Sequence, residues 1–77
     1  MSTPKPPSVD LGLLRAFDAL MRECHVTRAA ERLDMSQSSM SAALARLREV
    51  FKDKLLVRTG TGLAPTESAL LLLPRVQ

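Results

Sequence analysis

The chain has 77 residues, 45% of them hydrophobic, and its 11 Lys or Arg residues against 8 Asp or Glu give a formal net charge of +3. This length allows one small domain with a single core, and a single cysteine excludes an intrachain disulfide. No apolar run approaches the ~20 residues of a membrane span, and the N-terminus lacks the apolar stretch of a secretory signal, so we expect a cytoplasmic protein without a membrane partner.

The first predicted helix follows a proline-containing segment. Residues 1–8 include three prolines, and because repeated proline disfavours helix, this segment is expected to be a flexible tail. Asp10 is a suitable N-cap for a helix from about Leu11 to Cys24. Apolar residues recur there at helical spacing, at Leu13, Leu14, Phe17, Leu20 and Met21.

A short second helix is predicted over residues 28–33, with the Thr27 hydroxyl as its N-cap. Ala29 and Ala30 are small enough to let another helix cross closely. Asp34 follows where a tight turn should fall, and aspartate tolerates positive φ better than most residues. Two short helices joined by such a turn are typical of a helix-turn-helix.

The third predicted helix begins after the N-cap Ser36 and extends to about Val50. At ~100° per residue, one face is apolar and consists of Met40, Ala43, Leu44, Leu47 and Phe51. The opposite face is small, polar or basic and consists of Gln37, Ser38, Ser41, Ala45 and Arg48, with Ala42 and Arg46 on its flank. No acidic residue lies between Ser36 and Arg48.

A hairpin and a last helix are predicted after the third helix. Residues 55–57 read as a short strand, residues 59–62 supply a glycine-containing turn, and residues 63–64 return as a second strand that Pro65 stops. Thr66 then caps the last helix. These elements predict a mainly α fold, a winged helix-turn-helix with a three-helix core, a two-stranded β-hairpin wing and a C-terminal helix.

The polar face of the third helix has the chemistry of a major-groove reader. Gln37 can form a bidentate pair with adenine, and the hydroxyls of Ser38 and Ser41 can bond base edges or phosphate. Arg46 and Arg48 lie nearer the C-terminal end, where they are better placed for backbone phosphates. The sequence therefore predicts binding to duplex DNA.

Several ordered motifs are spread over about residues 9–77, namely Ala29-Ala30-Glu31-Arg32-Leu33, Met35-Ser36-Gln37-Ser38, Ser41, the stretch 44–48, Leu55-Leu56-Val57-Arg58-Thr59 and Leu63-Ala64-Pro65-Thr66. Together they resemble the DNA-binding domain of LysR-type transcriptional regulators. The resemblance implies sequence-specific binding of double-stranded DNA by a metabolite-responsive regulator. The third helix would lie in the major groove, and the wing would lie on the flanking backbone or minor groove.

The resemblance also assigns roles to individual residues. The positions expected to read bases are Gln37, Ser38, Ser41 and Ala42. The positions expected to contact phosphate are Thr27, Arg28, Ser36, Arg46, Arg48, Arg58, Thr59 and Thr66. The sequence departs from the family pattern at Ala42, where members often carry Arg or another polar residue, and at the wing tip, where Thr61 and Gly62 stand in place of a frequent Arg.

The implied domain order is a flexible tail over 1–8, the winged helix-turn-helix over 9–66 and the start of a linker and dimerisation helix over 67–77, without the family's effector-binding domain. A dimer interface is expected at Leu70, Leu71, Leu72 and Leu73. The implied partners are an interrupted palindromic operator and a second copy of the chain, with tetramers in the full-length protein. A small-molecule effector would bind only through the absent domain.

The alternative hypothesis is a winged helix that binds another protein through its small-residue face or its leucines. An enzyme is not expected, because the chain has neither a nucleophile–base set nor a phosphate-cradling glycine loop. No cofactor or metal is expected, since Cys24 and His25 alone fall short of the four ligands of structural zinc. Only Phe17 and Phe51 are aromatic, which argues against single-strand binding by base stacking.

Overall fold

Three helices pack around one core, and a two-stranded hairpin and a fourth helix follow them. The computed structural model describes residues 11–76, with side chains as far as Leu72, so the predicted tail and the predicted N-cap Asp10 lie outside the described residues. The elements in chain order are α1 (Leu11–Glu23), α2 (Val26–Arg32), α3 (Gln37–Phe51), β1 (Leu56–Thr59), β2 (Gly62–Pro65) and α4 (Glu67–Val76). The predicted winged helix-turn-helix is confirmed.

Helix α1 supplies much of the core. It ends at Glu23, one residue before the predicted end, and its buried residues are Leu13, Ala16, Phe17, Ala19, Leu20 and Met21. The Phe17 side chain is fully buried. Its ring centroid lies 5.9 Å from that of Phe51, with the planes tilted by 44°, a favourable separation for an aromatic pair. The two aromatic residues thus join α1 to the end of α3.

The turn between α2 and α3 is the predicted one. Ala29 and Ala30 are only 0% and 2% exposed, so their small side chains allow the neighbouring helices to approach. The backbone then turns at Asp34, whose φ is 60°. The Asp34 N–H donates to the Glu31 carbonyl, and the Met35 N–H donates to the Ala30 carbonyl at 2.8 Å. This pair of bonds is the Schellman motif, which satisfies carbonyls at the end of a helix.

The start of α2 differs from the prediction. The helix begins at Val26, and its N-cap is His25, whose Nδ1 accepts a hydrogen bond from the Arg28 N–H at 3.2 Å. Thr27 lies inside the first turn, so the prediction that it caps a helix beginning at Arg28 was wrong. The reason is the backbone at Cys24, which has a φ of 48° and ends α1 early enough for His25 to be extended before the helix starts.

Helix α3 begins as predicted. The Ser36 Oγ accepts a hydrogen bond from the Ser39 N–H at 3.0 Å, which is the N-cap geometry. The helix extends through Phe51, one residue beyond the predicted end, and stops where Lys52 adopts a left-handed conformation with a φ of 54°. Its apolar face packs on the core, with Met40, Leu44 and Leu47 buried and Ala43 and Phe51 half-buried.

The hairpin is antiparallel and begins one residue later than predicted. Leu55 has a φ of 65°, which is not a strand conformation, so β1 starts at Leu56. Pro65 is the last residue of β2 and faces Leu56, whereas the sequence predicted that Pro65 would stop the strand before it. The turn at residues 60–61 is followed by Gly62 with a φ of +136°, a conformation that favours glycine.

Asp53 connects α3, the hairpin and α4. Its Oδ2 accepts hydrogen bonds from the Leu55 N–H at 2.8 Å and from the Thr66 Oγ1 at 2.6 Å. The Thr66 Oγ1 in turn accepts from the Ala69 N–H at 3.0 Å, which confirms that Thr66 caps α4. The bonds from Thr66, the Leu55 backbone and Ser68 lower the pKa of the Asp53 carboxyl, although burial opposes them.

Candidate nucleic-acid interface

The predicted base-reading residues all lie on the exposed side of α3. We call Gln37, Ser38, Ser41 and Ala42 the recognition face, and each of these residues is exposed. Met40, which lies between Ser38 and Ser41 in the sequence, points to the opposite side of the helix and is fully buried. Burial of the apolar side fixes the helix on the core and directs the recognition face outward. An α-helix with its side chains is ~10–12 Å across, which fits a major groove ~12 Å wide.

The charges on α3 favour an anionic partner. Arg46 and Arg48 are exposed towards the C-terminal end of the helix. Glu49 is its first acidic residue, so no carboxylate on the helix repels a phosphate near the recognition face. The first N–H groups of an α-helix add a positive dipole end.

A cleft of about 570 Å³ joins the recognition face to the hairpin. Among the residues that line it are Thr27 and Arg28 from α2, Gln37 from α3, and Arg58 and Thr61 from the hairpin. Arg28 and Arg58 are both exposed. The structure therefore brings together predicted base-reading and phosphate-contacting residues that are up to about thirty positions apart in the sequence.

A second cleft, of about 540 Å³, lies between the end of α3 and β1. Its lining residues are Arg48, Lys54, Leu56, Val57 and Arg58, so three cations surround it. Lys54 was absent from the predicted site, because a lysine between a helix and a strand is equally typical of an ordinary solvated surface. Arg58 lines both clefts and stands between them.

Two of the predicted phosphate-contacting hydroxyls take part in local hydrogen bonds. The Ser36 Oγ donates to the Ser39 Oγ at 2.9 Å while it caps α3. The Thr59 Oγ1 donates to the Gly62 carbonyl at 3.2 Å and accepts from the Thr61 N–H at 3.3 Å. Both hydroxyls are exposed, so these bonds stabilise the cap and the turn without covering the residues.

Two other residues predicted to contact phosphate, Thr66 and Arg48, donate hydrogen bonds within the domain. The Thr66 hydroxyl donates to Asp53, so its proton is already used. The Arg48 guanidinium donates from Nε to the Lys54 carbonyl at 2.8 Å and from Nη2 to the Leu56 carbonyl at 3.1 Å. No sequence pattern indicates these bonds, and the phosphate roles of both residues stay predictions.

The leucines predicted to form a dimer interface face different surroundings. Leu70 and Leu71 are 51% and 71% exposed, whereas Leu72 is half-buried against the core. The Leu73 side chain lies outside the described part of the chain. Leu11 on α1 is also 73% exposed, and α1 and α4 are in contact.

Other kinds of site find no support between residues 11 and 76. Among these residues, no group of three or more His, Cys, Asp or Glu side chains is arranged to hold a metal ion. None of the helices there has the length and hydropathy to cross a membrane. Arg32 pairs with Glu23 at 2.7 Å.

The arrangement from α1 into α4 corresponds to one known family. The family model described as "Bacterial regulatory helix-turn-helix protein, lysR family" matches residues 11–70. The chain belongs to the lysR family. The resemblance predicted from the sequence motifs is therefore confirmed, and the family is a class of transcription regulators rather than of enzymes.

Relatives of the chain are found in several bacteria. The HTH-type transcriptional regulator LeuO of Escherichia coli is 48% identical over 77 residues, which cover 100% of this chain and 24% of LeuO. Nodulation protein D 1 of Rhizobium meliloti is 51% identical over 69 residues, covering 90% of this chain and 22% of that protein. The chain thus spans about a quarter of the length of these curated relatives.

Solved structures of other proteins share the fold. A probable transcriptional regulator from Pseudomonas aeruginosa superposes with a TM-score of 0.82 at 44% identity, over 88% of this chain and 23% of that chain. The BenM DBD in its complex with benA site 1 DNA superposes with a TM-score of 0.79 at 26% identity, over 88% of this chain and 76% of that chain. The second likeness extends over most of a domain that was solved with DNA.

Proposed function

We propose that this lysR-family chain binds double-stranded DNA sequence-specifically and is the DNA-binding domain of a transcription regulator. The observation that carries the proposal is the shared cleft, in which Gln37 at the start of the recognition face lies with Arg28 and Arg58. A base-reading amide that shares a cleft with two cations suits a groove bordered by two phosphate backbones. The likeness to the DNA-bound BenM domain supports the same proposal.

Base recognition is assigned to the recognition face. The Gln37 amide can pair with adenine through a donor and an acceptor, and the hydroxyls of Ser38 and Ser41 can bond base edges. Ala42 offers a methyl group, which suits the methyl group of thymine. Each good bidentate pair contributes about 1–3 kcal/mol of discrimination against a wrong base.

Affinity is assigned to the cations and hydroxyls around the recognition face. Arg28, Arg46 and Arg58 are exposed and would neutralise backbone phosphates, which releases counterions and makes binding weaken as salt rises. Thr27 lines the cleft beside Arg28 and can donate to a phosphate oxygen. These contacts set the register of the domain on the duplex without reading its sequence.

Dimerisation is assigned to the apolar surface of α4. Leu70 and Leu71 are large, apolar and mainly exposed, and burying them against a second copy would remove that surface from water. A symmetric dimer would place two recognition faces on an interrupted palindrome. Within a longer cytoplasmic regulator, an effector would act through residues beyond those that bind DNA.

The test is selection from a random-sequence duplex pool, followed by a salt titration on the enriched duplex. The expected result is an enriched inverted repeat whose affinity falls steeply with salt. Q37A and S41A should each lower the preference for the enriched sequence, while R58A should weaken binding to all duplexes and lower the salt slope by about 0.9.

R15A serves as the matched control, because Arg15 is an exposed arginine on α1 that lines neither cleft. It should leave the sequence preference unchanged. Failure of the wild-type chain to bind any duplex at low salt would overturn the proposal. Loss of binding to a protein partner in leucine variants, with DNA binding absent, would support the alternative of a protein-interaction domain.

A further inference from the structure

The side chain of Arg48 joins the recognition helix to the wing. Its Nε donates to the Lys54 carbonyl at 2.8 Å, and its Nη2 donates to the Leu56 carbonyl at 3.1 Å. Arg48 lies in the last turn of α3, while Leu56 is the first residue of β1. One guanidinium therefore spans the whole connection between the two elements that would contact DNA.

The Leu56 carbonyl depends on this donor. Leu56 and Pro65 form a non-hydrogen-bonded pair of the hairpin, because the adjacent pair is joined by the bond from the Thr66 N–H to the Leu55 carbonyl. The Leu56 carbonyl therefore points away from β2 and finds no donor on that strand. Leu56 itself is only 1% exposed, so water has little access to replace a missing bond. A buried carbonyl without a partner is costly, and Arg48 supplies that partner.

The backbone between the two carbonyls is strained. Leu55 has a φ of 65°, and the Leu56 N–H donates to the Lys54 carbonyl at 2.7 Å, which together form a γ-turn centred on a buried leucine. Such a turn is rare and unfavourable for a residue other than glycine. Arg48 bonds the carbonyls on either side of Leu55, and Asp53 accepts from the Leu55 N–H. The two side chains thus hold the strained turn in place.

The position of Arg58 depends on the direction in which β1 leaves the turn at Leu55. Arg58 lies two residues after Leu56 on β1 and lines a cleft with Arg48 and Lys54. We propose that Arg48 is a positioning residue for DNA binding, which holds β1 against the end of α3 and so determines where Arg58 meets a backbone phosphate. The inference rests on the proposed DNA-binding function, and it gives Arg48 a role other than a direct phosphate contact.

The test is a double-mutant cycle on the wild-type chain, R48Q, R58A and the double variant, with affinity measured on the selected duplex. If Arg48 acts through Arg58, each single variant weakens binding, and R48Q adds little once Arg58 is gone. We expect a coupling factor of at least about 5, which is about 1 kcal/mol at 1.4 kcal/mol per tenfold change. R46Q with R58A is the matched control, and its losses should be additive.

R48K separates the two roles of the arginine. A lysine keeps the charge but lacks the planar fork that reaches two carbonyls at once, so the positioning role predicts that R48K loses affinity nearly as R48Q does. Wild-type affinity in R48K together with a loss in R48Q would indicate a direct phosphate contact and would overturn the proposal. Additive losses in R48Q and R58A would overturn it as well.

Amide chemical shifts of the free protein provide a second measurement. In R48K the changes should concentrate on residues 54–59, while the amides at the start of α3 should remain unchanged. Unchanged wing amides would overturn the positioning role even if affinity falls. Absence of duplex binding by the wild-type chain would overturn the proposed function, whereas intact binding with additive losses would overturn the positioning role alone.

Discussion

Replacement of His25 by alanine should destabilise the domain through α2. The His25 Nδ1 accepts the Arg28 N–H at 3.2 Å, and α2 has only 7 residues, so it has little intrinsic stability. Loss of an N-cap usually costs about 0.5–2 kcal/mol. Because this bond is long and exposed to water, we expect a cost of about 1 kcal/mol, or a melting temperature lower by about 4–8 °C for a domain of this size.

The measurement compares thermal and urea unfolding of H25A, H25S and T27V. Serine accepts the same N–H as an ordinary N-cap, so H25S should stay near the wild-type stability. T27V removes the hydroxyl that the sequence favoured as the cap while keeping a β-branched side chain of similar volume. Its effect should stay within about 0.5 kcal/mol.

The three variants distinguish the His25 imidazole from the Thr27 hydroxyl. A larger loss of stability in T27V than in H25A would show that the Thr27 hydroxyl, and not the imidazole, holds the start of α2. Equal losses in H25S and H25A would show that the His25 side chain acts by some contact other than the cap.

Three further outcomes follow from the core and from Asp53. F17A should lower the free energy of unfolding by about 3–5 kcal/mol and remove most of the cooperative melting transition. F17L should retain that transition, and a fully cooperative transition in F17A would contradict the packing of Phe17. A30L should lower the free energy of unfolding by about 1–3 kcal/mol, because the larger side chain overpacks the contact between α2 and the neighbouring helices. Urea unfolding measures the loss, and an unchanged midpoint would refute the close approach of these helices at Ala30. The pKa of Asp53 is lowered on folding, so the ionised carboxylate stabilises the folded state at pH values above its ordinary pKa of 3.8. This stabilisation is lost as the pH falls through the pKa that Asp53 has in the folded state. The stability of D53N should therefore fall less than that of the wild type on acidification, and parallel curves would exclude this role.

The helices could be predicted because their signals are local. The apolar spacing of α3 and the hydroxyl of Ser36 lie within the element that they specify, so the burial of Met40 and the N-cap were both foreseen. Asp34 was found for the same reason, since the end of α2 requires a residue that tolerates positive φ there. The recognition face followed directly, because the residues opposite a buried stripe must be exposed.

The contacts where the hairpin joins α3 and α4 could be predicted only in part. The bond from the Leu55 N–H to Asp53 spans two residues and is a recognisable turn pattern for aspartate. The bond from Thr66 to Asp53 spans 13 residues, and the bonds of Arg48 depend on where the γ-turn directs the carbonyls. His25 was missed because intrinsic cap preferences rank threonine among the favoured residues, while the backbone at Cys24 decides which residue is extended.

The exposure of the hairpin changes along its length, with consequences for local opening. Leu55 and Leu56 are buried at its base, whereas residues 58–62 are exposed. Segments with few buried apolar contacts open at a lower free energy than the rest of a domain. Hydrogen exchange should therefore be fastest at the tip of the wing and slow progressively towards Leu56. The tip could then adapt to a partner surface while its base stays closed.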